Sequence, residues 1–222
     1  MSQRRTSRPS VELPENLEDA VRECVRYIIC REGSKIPIKR IEIIKHLQNT
    51  YQTSTNHINT VILEADKLLK KIYGIKLVQV ESKSGIQYIA VLDEPCEKSL
   101  LSLATDATQR KILLAMLTHI FMSGAPVKED DMWSFLSEAD LIQENDYAGR
   151  KILTHIFTKQ MYLKYTKVGE GDLSKYTFEW GQRAIEEVPR MFLLKKFAEA
   201  FGAEPTNWSE QYKRHRSSVN II

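Results

Sequence analysis

Cysteine is scarce in this sequence: three in 222 residues, an odd and sparse set. Cys24, Cys30 and Cys96 do not make a disulfide framework, and their number suits a reducing compartment. No run of about 18 apolar residues occurs, which argues against a membrane-spanning helix. The first ten residues carry arginines but no apolar stretch, so no secretory signal is expected there. Enzyme signatures are also missing. His46, His57, His119, His155 and His215 are scattered, and none pairs with another or with an acid at metal-ligand spacing on one helix face. There is no Cys-x-x-Cys, and Cys24 and Cys30 face different directions on a helix. Gly169-Glu170-Gly171 separates two β-type runs, so it reads as a hairpin turn and not as a phosphate cradle. Glu129-Asp130-Asp131 opens a helix, where the dipole favours carboxylates. No nucleophile stands beside a base. The chain reads as a binding protein or adaptor, not an enzyme, with no cofactor and no metal.

What is present is an ordinary folded composition, 42% hydrophobic and 27% charged. The length allows two cores of roughly 80–100 residues each. Met1 to Leu13 is polar and arginine-containing and reads as a disordered tail. From Pro14, Leu17, Val21, Cys24, Val25, Ile28 and Ile29 recur at helical spacing up to Gly33. Pro37 opens a second helix bearing Ile38, Ile41, Ile44 and Leu47. A third, capped by Ser54 or Thr55, carries Ile58, Val61, Ile62, Ala65, Leu68, Leu69 and Ile72. The period then drops to two over Ile75–Val80 and Ile86–Leu92, around the turn Glu81–Gly85, which is a hairpin signal.

The order repeats. Asp106 caps a helix with Ile112, Leu113, Met116, Leu117, Ile120 and Phe121 that stops at Gly124. A second follows Pro126 with Met132, Trp133, Phe135 and Leu136, and a third starts near Asp146 with Ile152, Leu153, Ile156 and Phe157. Two strands follow, Tyr162–Val168 and Lys175–Trp180. Three helices and a hairpin, twice, predict a mainly α (α+β) fold of tandem winged-helix domains. The expected boundaries are a tail at 1–13, a first domain at 14–92, a linker at 93–105, a second domain at 106–204 ending in a helix broken by Pro189, and a basic tail at 205–222.

The net charge of +3 hides a local imbalance. Between Asp146 and Glu170 there is no acid, while Arg150, Lys151, Lys159, Lys164 and Lys167 fall there. Lys151, Thr154, His155, Thr158 and Lys159 form one stripe on the third helix of the second unit. In winged-helix domains that helix is offered to the DNA groove and the wing touches phosphate. A stripe without carboxylates suits such contact, so Arg150, Lys151, Thr154, His155, Thr158, Lys159, Lys164 and Lys167 are the DNA-binding candidates. The competing reading is a solvated face. In the first helix, Tyr27, Ile28 and Ile29 point about 100° apart, so at least one lies at the edge of the buried stripe, where another protein can reach it.

The blocks from Leu113 to Gly124, Trp133-Ser-Phe-Leu, Met161-Tyr-Leu-Lys-Tyr and Tyr176-Thr-Phe-Glu-Trp-Gly-Gln-Arg-Ala resemble the MAGE homology domain, from about Pro14 to Trp208. The short tails are similar to those of the single MAGE proteins of invertebrates. The resemblance implies tandem winged helices and a nuclear, non-catalytic subunit of the Smc five–six complex in DNA repair. A cytoplasmic location is also open. It implies two partners, a RING-type ubiquitin ligase of the non-SMC element one type and a kleisin of the non-SMC element four type, the latter at the second winged unit. The family's apolar pair for ligase binding, usually Leu-Leu, matches Ile28 and Ile29, preceded by Tyr27. The alternative function is a nucleic-acid-binding module or transcriptional co-regulator.

Overall fold

The apolar stripe after Pro14 folds as helix α1 (Glu15–Glu32). Val21, Cys24, Val25 and Ile28 turn inward against Ile58, Val61, Ile62, Ala65 and Leu69 of α3 (Ile58–Tyr73). Ser54 accepts a hydrogen bond from the Asn56 amide and starts the 3-10 turn Thr55–His57 that leads into α3. Strands β2 (Ile75–Ser82) and β3 (Gly85–Leu92) pair antiparallel to the last residue, Ser82 opposite Gly85. The hairpin loop is therefore Lys83-Ser84, shorter than the five-residue turn expected. In this computed structural model the described residues are 15–94, 106–124, 126–169 and 174–213. The tail expected at 1–13, the linker from residue 95 onward, Cys96 and the end of the basic tail lie outside them.

The second helix departs from expectation. Ile38–Lys39 is a short strand, β1, with Ile38 opposite Tyr88 on the free edge of β3. Helix α2 begins only at Arg40 and runs to Tyr51. The edge of β3 offers backbone partners that two residues of extended chain satisfy. The later start changes which residues face inward: Ile43 and Leu47 are buried, while Ile41 is 51% exposed. The second unit does the same. After α4 (Ala107–Ser123), Val127–Lys128 forms β4, opposite Phe178–Thr177, before α5 (Glu129–Glu138).

Helix α6 (Tyr147–Lys159), β5 (Leu163–Val168) and β6 (Lys175–Trp180) complete the second unit. Its strand order β4-β6-β5 mirrors β1-β3-β2 in the first. Leu113, Met116, Leu117, Trp133, Phe157, Tyr162 and Phe178 fill its core. On α6 the core residues are Leu153 and Phe157, and Ile152, expected on the apolar stripe, is 55% exposed. Pro189 separates α7 (Gln182–Glu187) from α8 (Arg190–Ala200), as a residue without an amide proton must. Two small antiparallel sheets, each with three helices, make the fold a tandem winged helix. Among the described residues, no helix is long and apolar enough to cross a membrane.

Candidate partner groove and basic face

Helices α5 and α6 and strand β5 enclose a groove of about 730 Å³. Asp146 starts one wall by accepting a hydrogen bond from the Gly149 amide at 2.8 Å, folding over the first turn of α6. A Cβ at position 149 would sit 2.1 Å from the Asp146 carboxylate, so a larger residue there would push this capping side chain aside. Arg150 then reaches back, donating to the Glu144 carbonyl at 2.6 Å, with its guanidinium 5.5 Å from the ring centres of both Trp133 and Tyr147.

The floor is aromatic and held by one carboxylate. Glu129 accepts from Trp133 Nε1 at 3.1 Å and from Tyr165 Oη at 2.5 Å. Partial burial, and then the bond to Glu129, push the Tyr165 hydroxyl's pKa well above the usual phenol value. Tyr165 also stacks on Tyr176, centroids 4.6 Å apart. The result is an apolar trough with fixed ring orientations, one basic wall and a small acidic rim at Glu129 and Asp130. Such a trough has the chemistry to take an extended or helical apolar segment of another chain.

The structure brings most of the predicted DNA candidates to this place. Arg150, Lys151, Thr154, His155, Thr158 and Lys159 all line the groove wall. Lys151, His155 and Lys159 are exposed. The hydroxyls of Thr154 and Thr158 donate to the carbonyls of Arg150 and Thr154, at 2.8 and 2.6 Å. Lys164 sits apart on β5, paired with Glu179 at 2.7 Å, so its charge is partly matched. Lys167 is exposed near the tip of the wing. The acid-free stretch is thus not acid-free in space, because Glu179 and the Glu129–Asp130 rim come from other elements. Sequence reasoning missed the groove's aromatic floor. Trp133 and Tyr165 fall in the resemblance blocks, but their meeting depends on how α5 packs against the sheet of β5 and β6.

The ligase candidates separate. Ile28 has no exposed surface and belongs to the core between α1 and α3. Tyr27 is 8% exposed, its ring against His46 at 4.3 Å with the Arg31 guanidinium 3.8 Å above it. Ile29 is half-buried at the edge of the same core, so of the three it offers the most surface. Burial pushes the neighbouring Cys24 thiol up to about 12. Among the described residues, no group of three or more His, Cys, Asp or Glu side chains is arranged to hold a metal ion.

A pair of winged helices with an apolar groove on the second places the chain in the class of tandem winged-helix proteins. The comparisons with known proteins specify it further. The family model of the MAGE homology domain matches residues 24–90 and 85–191, and the chain belongs to that family. It is similar to the human "Non-structural maintenance of chromosomes element 3 homolog", 30% identical over 201 residues, covering 88% of this chain and 65% of that protein. The mouse protein of the same name is also 30% identical over 201 residues, covering 88% of this chain and 71% of the relative. Human "Melanoma-associated antigen D2" is 28% identical over 201 residues, but the match spans only 33% of it. A chain from a solved structure of the "Nse1-Nse3-Nse4 complex" superposes with a TM-score of 0.75 and 26% identity. That match covers 92% of this chain and 100% of the other. The chain therefore spans about two thirds of the length of the human and mouse relatives.

Proposed function

We propose that this chain is a non-catalytic adaptor of a nuclear chromosome-maintenance and DNA-repair assembly, with residues 14–92 and 106–204 as its two working units. The observation that carries the reading is the likeness, over nearly the whole of both chains, to a chain of the Nse1-Nse3-Nse4 complex. In this reading the first unit holds a RING-type ubiquitin ligase of the first kind in that name. Tyr27, Ile28 and Ile29 support that contact, Ile29 by surface and the other two by fixing the shape of α1. The second unit's groove takes an apolar segment of the kleisin, the third kind in that name. Its aromatic floor and Arg150 over Trp133 support that assignment. DNA contact falls to Lys151, His155, Lys159 and Lys167, whose exposure supports it. Co-expression of the chain with a RING subunit and a kleisin subunit tests the reading. A ternary complex on gel filtration is expected, and elution of the chain alone overturns it.

A further inference from the structure

Among the described residues, Arg183 is the largest fully buried side chain, 2% exposed, and it belongs to α7, next to Ala184 of the second core. A buried guanidinium is costly unless its donors are met and its charge is matched. Here both conditions are satisfied, and the partners come from both units. Within its own unit, Arg183 Nε donates to the Gln160 carbonyl at 2.9 Å, and Nη1 donates to Glu187 Oε1 at 2.9 Å. Across to the first unit, Nη1 donates to the Ala90 carbonyl at 2.8 Å and Nη2 to the Lys35 carbonyl at 3.1 Å. Glu187 is held in turn by the Tyr162 hydroxyl at 2.7 Å, and Lys35 Nζ lies 3.9 Å from it while also pairing with Glu32.

The surroundings are shaped for this bond set. Lys35 and Met161 both take left-handed backbone angles, φ 57° and 62°, which non-glycine residues rarely adopt. The first aims the Lys35 carbonyl at the guanidinium, and the second aims the Met161 carbonyl at the Arg183 amide, 3.0 Å away. Gly181 permits the approach, since a Cβ there would lie 2.2 Å from the Met161 oxygen. Strand β3 is closed on both faces. Tyr88 and Ala90 point to the first core, while Ile89 and Val91 alternate to the other face and are 0% and 2% exposed, on the strand against which α7 packs. The other polar links between described residues of the two units, the Lys35–Glu187 contact included, are longer than the two Arg183 bonds. Gln160 Nε2 donates to the Ser34 carbonyl at 3.3 Å and leaves its buried Oε1 without a protein partner, and Lys76 lies 3.4 Å from Glu186.

We infer that Arg183, with Glu187 behind it, is a latch that sets the angle between the two winged units: one side chain bridges backbone carbonyls of both, with the shortest polar links between their described residues. The two hydrophobic cores remain separate, so releasing the latch frees the units without unfolding either. A partner gripping both units then works against this residue, a consequence that rests on the adaptor reading. The latch itself does not.

Small-angle scattering and calorimetry of the full chain, without any partner, decide the matter. Arg183→Met fills the volume but makes no bridge, and Arg183→Lys keeps the charge beside Glu187 but cannot reach both carbonyls as a fork. Both are expected to enlarge the radius of gyration and to split one thermal transition into two, with the circular dichroism of the folded chain retained. Where Arg183→Met does not fold, Arg183→Lys decides, because it strands no carboxylate. Scattering profiles that superpose on the wild type, with a single transition, overturn the inference. The Lys76→Ala variant serves as the control and is expected to leave both measurements unchanged.

Discussion

Tyr165 Oη lies 2.5 Å from Glu129 Oε2, and this bond ties the first wing strand of the second unit to the first turn of α5. The same carboxylate holds the Trp133 indole, so one acid fixes both rings of the groove floor. Tyr165→Phe removes a bond to a charged, part-buried acceptor while keeping the ring. A stability loss of about 1–2 kcal/mol in urea denaturation is expected. Glu129→Gln keeps an acceptor for one donor and is expected to cost less. Both variants free the floor, and both are expected to weaken binding of a kleisin peptide more than they weaken the fold. A peptide affinity unchanged in both variants would remove the groove from the partner site.

The first helix calls for a different discrimination. Ile28 is wholly enclosed between α1 and α3, so Ile28→Ala opens a cavity and is expected to cost about 3 kcal/mol. Any loss of ligase binding in that variant is confounded by the loss of stability. Ile29 is half-buried at the core edge, and Ile29→Ala is expected to cost about 1 kcal/mol. Thermal denaturation beside ligase pull-down separates the two. The ligase contact is supported at α1 only if Ile29→Ala reduces binding while the melting temperature stays near that of the wild type.

These two residues also show what was legible from the order of amino acids. The repeat of three helices and a hairpin was readable because stripes of 3.6 and runs of two are long enough to declare a period. The break at Pro189 was readable from proline's missing amide. Strands β1 and β4 were not, because two residues carry no period and their existence depends on the free edges of β3 and β6. Ile41 and Ile152 fall on the apolar stripes of the sequence yet lie outward for the same kind of reason: the helix start at Arg40, and the rotation of α6 about Leu153 and Phe157, are set by packing. Charge was hardest to read. Lys164 meets Glu179 and Tyr165 meets Glu129 across 15 and 36 residues of chain; strand register decides the first meeting and the packing of α5 on the sheet the second.

His119 supplies a pH dependence that does not involve any partner. Its ring stacks on Phe135 at 4.2 Å, and burial lowers its pKa below the ordinary 6.5, against a smaller opposing effect of the Asp131 charge. The folded chain therefore holds this proton less tightly than the unfolded chain does. Stability is unaffected while both states are neutral, and it falls as the pH drops through 6.5, where the unfolded state begins to bind the proton. His119→Phe keeps an aromatic ring on Phe135 and removes the titration. Its denaturation midpoint is expected to vary less with pH just below 6.5 than that of the wild type, and an identical slope in both would contradict the assignment.

The DNA reading turns on how much positive charge the α6 face presents once its neighbours are counted. Lys164 contributes little because Glu179 already pairs with it, whereas Lys151 and Lys159 are exposed on the groove wall. Lys151→Glu with Lys159→Glu is therefore expected to weaken binding to duplex DNA of any sequence. It should also flatten the dependence of log affinity on log salt by about 2, one unit for each lost phosphate contact. Lys164→Glu is expected to change the slope by less than either single substitution. Because the two lysines border the same groove as Trp133 and Tyr165, a bound kleisin segment covers part of the surface that DNA would need. Titrating a kleisin peptide into a chain–DNA mixture is expected to release the DNA. Affinity and salt slope that both stay at wild-type values in the double variant would leave α6 to the groove alone.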